Sequence, residues 1–176
     1  MRPGIATGSN VFMVYDSETG AALKGTVSVE LPAFELSTEE FSGAGVAGKV
    51  NVAFPGSMEP LTATINCPVI YGDITKYMEL GTVRTIDLRN EIIVQNPDSH
   101  AKEKVPNRWI LKGQLSGSSP GSIEQAAAGE ATITIQLNYV KHFLDGDEIV
   151  EWDAFKYIYK VNGKDLMDET RKNLLV

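Results

Sequence analysis

The side chains able to do acid–base or metal chemistry are few and scattered. The chain holds two histidines, His100 and His142, and one cysteine, Cys67. His100 follows the polar stretch Pro97-Asp98-Ser99 and His142 follows an alternating run. Two distant histidines are not the convergent set that a metal needs, so both read as surface residues. Asp145, Asp147 and Glu148 cluster around an Asp-Gly turn. They lack the alternating ligands, central glycine and distal glutamate of a calcium loop, so that tip reads as structural. The run Gly43-Ala44-Gly45-Val46-Ala47-Gly48 continues into Lys49-Val50 rather than Lys-Ser or Lys-Thr, and no helix opens there. A phosphate loop is therefore excluded in favour of a flexible hairpin or a close backbone contact. Cys67 lies on the apolar parity of its run, which predicts a buried, inert thiol. These residues imply no catalytic machinery, no metal and no cofactor.

Composition narrows the class further. The 176 residues are 43% hydrophobic and 22% charged, which suits a folded domain rather than a disordered chain. One cysteine excludes a disulfide scaffold. A net charge of -7 is wrong for coating nucleic acid, because phosphate neutralisation requires surplus Lys and Arg. No apolar run approaches the roughly 18 residues that span a bilayer, so no membrane anchor is expected. Residues 1–10 lack the charged start and apolar middle of a signal peptide. The expectation is a soluble protein made in the cytoplasm with a reduced thiol.

The elements that must carry these side chains are mostly strands. Ile133, Ile135, Leu137 and Tyr139 alternate with Thr132, Thr134, Gln136 and Asn138. Leu61, Ala63, Ile65 and Cys67 alternate with Thr62, Thr64 and Asn66. Period-two alternation marks half-buried strands. Both polar faces are uncharged, whereas ordinary solvent faces carry Lys and Glu. Further strands are expected over residues 11–15, 21–31, 49–54, 82–94 and 108–115. A long strand over 149–161 changes parity near Ala154, which predicts a β-bulge. Its aromatic residues Trp152, Phe155, Tyr157 and Tyr159 read as core. Turns are expected at 16–20 and at Asp145-Gly146. Ile70, Ile74, Tyr77 and Met78 predict one short helix over 73–80, capped by Asp73. A short terminal helix within 164–174 is a further expectation. Residues 34–48 and 116–129 read as long loops, which are usually functional.

Four stretches resemble the major tail tube proteins of contractile-tailed bacteriophages and related contractile bacteriocins. They are Val29-Glu30-Leu31-Pro32 with the acidic residues that follow, and Phe41-Ser42-Gly43-Ala44-Gly45-Val46-Ala47-Gly48. The third is Gly56-Ser57-Met58-Glu59-Pro60-Leu61-Thr62-Ala63-Thr64-Ile65. The fourth is Leu137-Asn138-Tyr139-Val140-Lys141-His142-Phe143-Leu144-Asp145-Gly146, continued by Tyr159-Lys160-Val161-Asn162-Gly163-Lys164-Asp165. Order and spacing agree from about residue 29 onward.

The resemblance implies a mainly β fold of two packed antiparallel sheets, sandwich- or barrel-like, with one short helix and a long inter-ring loop. It implies a single tail-tube domain, 1–176, with an assembly loop at 34–48, a Ser/Gly/Ala-rich loop at 116–129 and a C-terminal extension at 164–176. The function implied is structural and not enzymatic. Hexameric rings of this chain stack into a hollow tube inside a sheath, and contraction drives the tube through a target envelope. The implied partners are other copies of the chain, the sheath protein, a baseplate or tube initiator, a tail terminator and a tape-measure protein in the lumen. DNA would be a transient passenger, in a phage only. The implied location is a virion tail or bacteriocin particle assembled in the host cytoplasm. Thr62, Thr64, Asn66, Thr132, Thr134, Gln136 and Asn138 are the expected lumen face. Glu35, Glu39, Glu40, Phe41, Gly43, Gly45 and Gly48 are the expected ring-stacking loop, its acids facing Arg84, Arg89 or Lys112 of a neighbour. The alternatives are a type VI secretion-like tube protein and a monomeric β-sandwich module that binds a ligand.

Overall fold

In the computed structural model, residues 4–175 are described. The expected N-terminal stretch 1–10 and the C-terminal extension 164–176 therefore fall partly outside the described residues. Eleven strands form two antiparallel sheets. The strands are β1 (Ile5–Asp16), β2 (Ser28–Glu30), β3 (Leu36–Phe41), β4 (Val50–Met58), β5 (Leu61–Cys67), β6 (Val83–Gln95), β7 (Lys102–Ser119), β8 (Ala131–Leu144), β9 (Asp147–Asp153), β10 (Ile158–Val161) and β11 (Lys164–Asp165). A helix, α1 (Asp168–Leu174), follows them. Nine strands belong to one sheet, and β3 pairs only with β4 in a separate hairpin.

The alternation expected over residues 61–67 is present without a break. Leu61, Ala63, Ile65 and Cys67 are buried, and their neighbours are half-exposed. They lie in register with Leu137, Ile135, Ile133 and Ala131 of β8, all buried as well. Ile86 of β6 and Leu111 and Leu115 of β7 extend the same apolar layer. Each large aliphatic side chain fully removed from water there contributes about 1.5–3 kcal/mol.

Strand β8 changes partner halfway. Leu61↔Leu137 is the last pair with β5, and Tyr139↔Asp153 begins the pairing with β9. On the other side, Lys112 pairs Tyr139 while Gly113 pairs Leu137, so Asn138 is the extra residue of a β-bulge. Gly113 permits the close approach, because a Cβ there would lie 2.0 Å from the carbonyl oxygen of Gln136. The bulge corrects the face expected for Tyr139. Val140 takes the buried position, and Tyr139 turns to the open side with Lys112.

Other boundaries differ for local reasons. The expected single strand over 149–161 is a hairpin, β9 turning into β10 at residues 154–157. The Asp153 carboxylate makes that turn by accepting from the backbone N–H groups of Phe155 and Lys156. Phe155 and Tyr157 are consequently exposed rather than core. The expected loop 34–48 contains β3, and the expected loop 116–129 begins inside β7. The strand expected over 21–31 shrinks to β2, while β4 runs past Pro55-Gly56 instead of ending there. The helix expected over 73–80 is a 3₁₀ helix, Gly72–Met78. Asp73 does not cap it; the Thr75 hydroxyl donates to the Gly72 carbonyl instead. Its two buried anchors, Ile74 and Tyr77, stand three residues apart, which matches a three-residue turn. The terminal helix expected within 164–174 is present as α1, the second helical segment among the described residues.

The remaining turns follow their local chemistry. Asp145 and Gly146 both take positive φ at the expected hairpin tip. Asp16 shapes the turn after β1 by accepting from the backbone of Glu18 and Thr19. Its second carboxylate oxygen accepts from the buried Tyr77 hydroxyl at 3.0 Å, which ties the 3₁₀ helix to β1.

Candidate assembly surfaces

The side of β5 and β8 away from the core is open. Six of the seven residues expected there stand in three cross-strand pairs, Thr62 with Gln136, Thr64 with Thr134 and Asn66 with Thr132. The Thr62 hydroxyl donates to the Gln136 side-chain oxygen at 3.2 Å. Neighbouring strands widen these rows. Gln114 of β7 pairs Gln136, and Ser28 of β2 pairs Asn66. Asn66 donates to the Ser28 hydroxyl and to the Glu30 carboxylate, the one charge on these rows. Gln114 and Ser28 were not assigned to this face from sequence: Gln114 lies in no long alternating run, and the alternation over 26–31 that holds Ser28 does not show which strand it pairs. Asn138 does not continue the rows, since it is the bulged residue at their end.

Past that bulge the same side of the sheet becomes charged. Asp87 accepts from both Arg89 and Arg108, at 2.7 to 3.1 Å. Burial alone would raise its pKa, but the two guanidinium groups outweigh that and hold it below the usual carboxylate range. Glu151 accepts from the Tyr139 hydroxyl at 3.1 Å and from Lys141 and Lys160 at 3.4 Å. Burial and the neighbouring carboxylate push the Tyr139 phenol up to about 12, so it stays a neutral donor. Both carboxylates of this network find their cations within the chain.

The second surface is the hairpin of β3 and β4. Phe41 pairs Val50 and Glu39 pairs Val52. Strand alternation therefore places Phe41, Val50, Val52 and Phe54 on one face with Glu39 among them. All four apolar side chains are exposed, Phe41 by 54%. Glu40 points to the other face and accepts from Lys49 at 2.6 Å. Gly43 begins the tip, whose Gly45 and Gly48 take positive φ. Glu35 precedes β3 at the base, where its carbonyl accepts from the backbone of Glu59. The expected loop residues thus lie along one self-paired arm. Two of the three cations expected to receive its acids are engaged within their own chain. Arg84 binds Glu18 at 3.0 Å and Glu79 at 3.5 Å, and Arg89 binds Asp87.

The arm's base is pinned. A bulge spans residues 54–57, where Leu36↔Met58 gives way to Thr38↔Ala53. Gly56 sits in it with φ 85°, against the nearly buried side chain of Met167. Asp165 fixes that methionine by accepting from its backbone N–H while pairing with Arg171.

The residues first weighed for chemistry are dispersed. His142 is not on the surface as expected: its ring stacks on Trp109, with centroids 3.8 Å apart, and bonds Asn107 at 2.6 Å. Burial lowers its pKa and favours the neutral ring. His100 is exposed in a turn with φ 56°. Cys67 is buried, and burial pushes its thiol up. Among the described residues no three His, Cys, Asp or Glu side chains converge as a metal set.

Comparison with known proteins agrees along the chain. The family model for phage tail tube protein FII matches residues 10–174. The tail tube protein of Escherichia phage P2 is 26% identical over 166 residues, covering 94% of this chain and 93% of that protein. The major tail tube protein of Serratia phage KSP20 is 26% identical over 140 residues, covering 79% and 78% respectively. Among solved structures, a chain of the PVC sheath/tube terminator of an extracellular contractile injection system, in its extended state, is similar with a TM-score of 0.52. At 11% identity, over 78% of this chain and 99% of that one, this likeness concerns the fold alone.

Proposed function

Because this chain belongs to the phage tail tube protein FII family and is a structural tube subunit rather than an enzyme, we propose how its surfaces build the tube. Six copies close into a ring, and rings stack into a hollow tube within a contractile sheath. The neutral rows of Thr62, Thr64, Asn66, Thr132, Thr134 and Gln136 line the bore, with Asn138 at their end. The β3–β4 arm, including the loop residues Glu35, Glu39, Glu40, Phe41, Gly43, Gly45 and Gly48, contacts the adjoining ring. The ends of the tube meet an initiator and a terminator, and a tape-measure protein occupies the lumen during assembly in the host cytoplasm. DNA passes through only where a genome is attached.

One observation carries this reading: the arm presents Phe41, Val50, Val52 and Phe54 to solvent. A hairpin with an exposed apolar face is marginal on its own and marks an interaction surface. Nearly neutral rows also suit a passage for a polyanion, since Lys or Arg there would grip phosphate. The test is negative-stain electron microscopy of the concentrated protein, with and without a nucleating baseplate. Hollow, stacked tubes are expected. A chain that stays monomeric with the nucleator present overturns the reading.

A further inference from the structure

We propose that the β3–β4 arm of one copy docks into a hollow on a second copy, with Glu39 pairing with Lys112 at its centre. This inference rests on the tube reading and identifies the receiving surface. The arm's apolar face contains one carboxylate, Glu39, which has no cation partner among the described residues. Covering that face with protein would strand the charge, and a buried carboxylate requires a partner. The second copy must therefore offer apolar surface around a cation that its own chain leaves free.

Few cations qualify. Among the described residues, Lys24, Lys102, Lys112 and Lys164 make no ion pair within 4.0 Å. Of these, Lys112 stands in a hollow of about 550 Å³ whose apolar lining is Val83, Phe155 and Ile158. Phe155 is 77% exposed and Val83 49%, so the hollow offers apolar surface to a partner. The hollow's other charges, Glu151, Asp153 and Lys156, are paired within the chain, Glu151 with Lys141 and Lys160 and Asp153 with Lys156. Each surface thus combines apolar side chains with one unpaired charge, Glu39 on the arm and Lys112 in the hollow. Charge complementarity selects the second copy as occupant and fixes the register of the contact.

The arm and the hollow are different surfaces of one chain, so their pairing is head-to-tail. A head-to-tail contact that does not close on itself propagates as a stack. The turn at residues 154–157 lies between them: Trp152 and Tyr157 border the arm's base at Gly56, while Phe155 and Ile158 line the hollow. The site that receives an arm therefore adjoins the site that projects one.

Two experiments on the full chain test this. Glu39→Lys and Lys112→Glu should each cut tube yield by about tenfold or more, and the double exchange should restore it. Both residues are exposed, and circular dichroism checks that the variants fold. Second, Glu39→Cys and Lys112→Cys chains are mixed under mild oxidation and read by non-reducing electrophoresis. A covalent dimer is expected well above a Glu39→Cys plus Lys164→Cys control. Wild-type tubes with no effect of either charge change, or a crosslink no better than the control, overturn the pairing and leave the tube reading intact. Absence of wild-type tubes counts against the tube reading, and the crosslink then decides the contact on its own.

Discussion

Replacing Tyr77 with Phe removes one hydroxyl and nothing else from the fully buried side chain that joins the 3₁₀ helix to β1. The hydroxyl donates to Asp16 at 3.0 Å, and Asp16 is itself buried. A hydrogen bond to a charged group contributes about 1.5–3 kcal/mol, and its loss leaves a carboxylate oxygen short of a donor. The other Asp16 oxygen keeps the N–H groups of Glu18 and Thr19, so the turn itself should survive. Dilute protein should therefore lose about 1.5–3 kcal/mol in urea unfolding, or roughly 3–12 °C in Tm for a chain of this size. The pH dependence gives an independent check. Burial would raise the Asp16 pKa, but its backbone donors, Tyr77 and Arg84 together depress it. A depressed carboxylate gives stability that is fully present above its ordinary value of 3.8 and is lost as the pH falls through the folded value. Removing one donor makes the depression smaller, so the deficit of Tyr77→Phe should narrow as the pH drops below 3.8. A deficit under about 0.5 kcal/mol, or one that widens in acid, would refute the assignment of this bond as the tie.

Two further perturbations address the arm and the open face. Gly56→Ala imposes a side chain at a positive φ, with its Cβ 2.2 Å from the Met167 sulfur, so backbone strain should cost about 1–3 kcal/mol, plus the overpacking that the flexible end of Met167 does not relieve by moving. In a double-mutant cycle with Met167→Ala the overpacking share should vanish, and additive losses would show that Met167 is not the clamp. Lysines at Thr64 and Thr134, which pair across β5 and β8, should make assembled tubes retain DNA at low salt and release it at high salt. Unchanged retention across a salt titration would remove these rows from the bore.

How much was legible in the sequence depended on burial. Residues 61–67 could be read residue by residue, because one face is buried and the other is not. The arm was harder. Five of the six side chains of β3 are exposed and both faces of β4 meet solvent for most of its length, so the alternation that marks a half-buried strand is absent. The bulge at Asn138 was hidden by Tyr139, since a tyrosine suits an apolar or a polar face equally. Only the pairing of Lys112 with Tyr139 and Gly113 with Leu137 reveals the extra residue. The parity change near Ala154 was visible, but a bulge and a tight turn produce the same shift. Asp153, whose side chain caps the turn, was the signal that distinguished them. The neutral rows of β5 and β8 were readable as a pattern of uncharged polar side chains. The free charges were not, because whether Arg84, Arg89 or Lys112 is already paired depends on contacts across as many as 66 positions.

The bulge at Asn138 also explains why one face of a continuous sheet carries two surfaces. Before it, β8 is held by β5 and shows Thr132, Thr134 and Gln136 to the open side. After it, β8 is held by β9, and the open side shows Tyr139 and Lys141 instead. One extra residue reverses the parity, so the alternation that would have buried Tyr139 buries Val140. The same residue bends the strand. Neutral rows and charged network are therefore divided by geometry as well as by composition. If the neutral rows line the bore, the bend turns Lys112, Lys141 and Arg108 out of its wall. Lys112 then stands where β8 leaves the wall, beside the turn that borders the base of the arm. A subunit built this way needs no separate device to keep cations away from a passing polyanion while holding one ready for a neighbouring subunit.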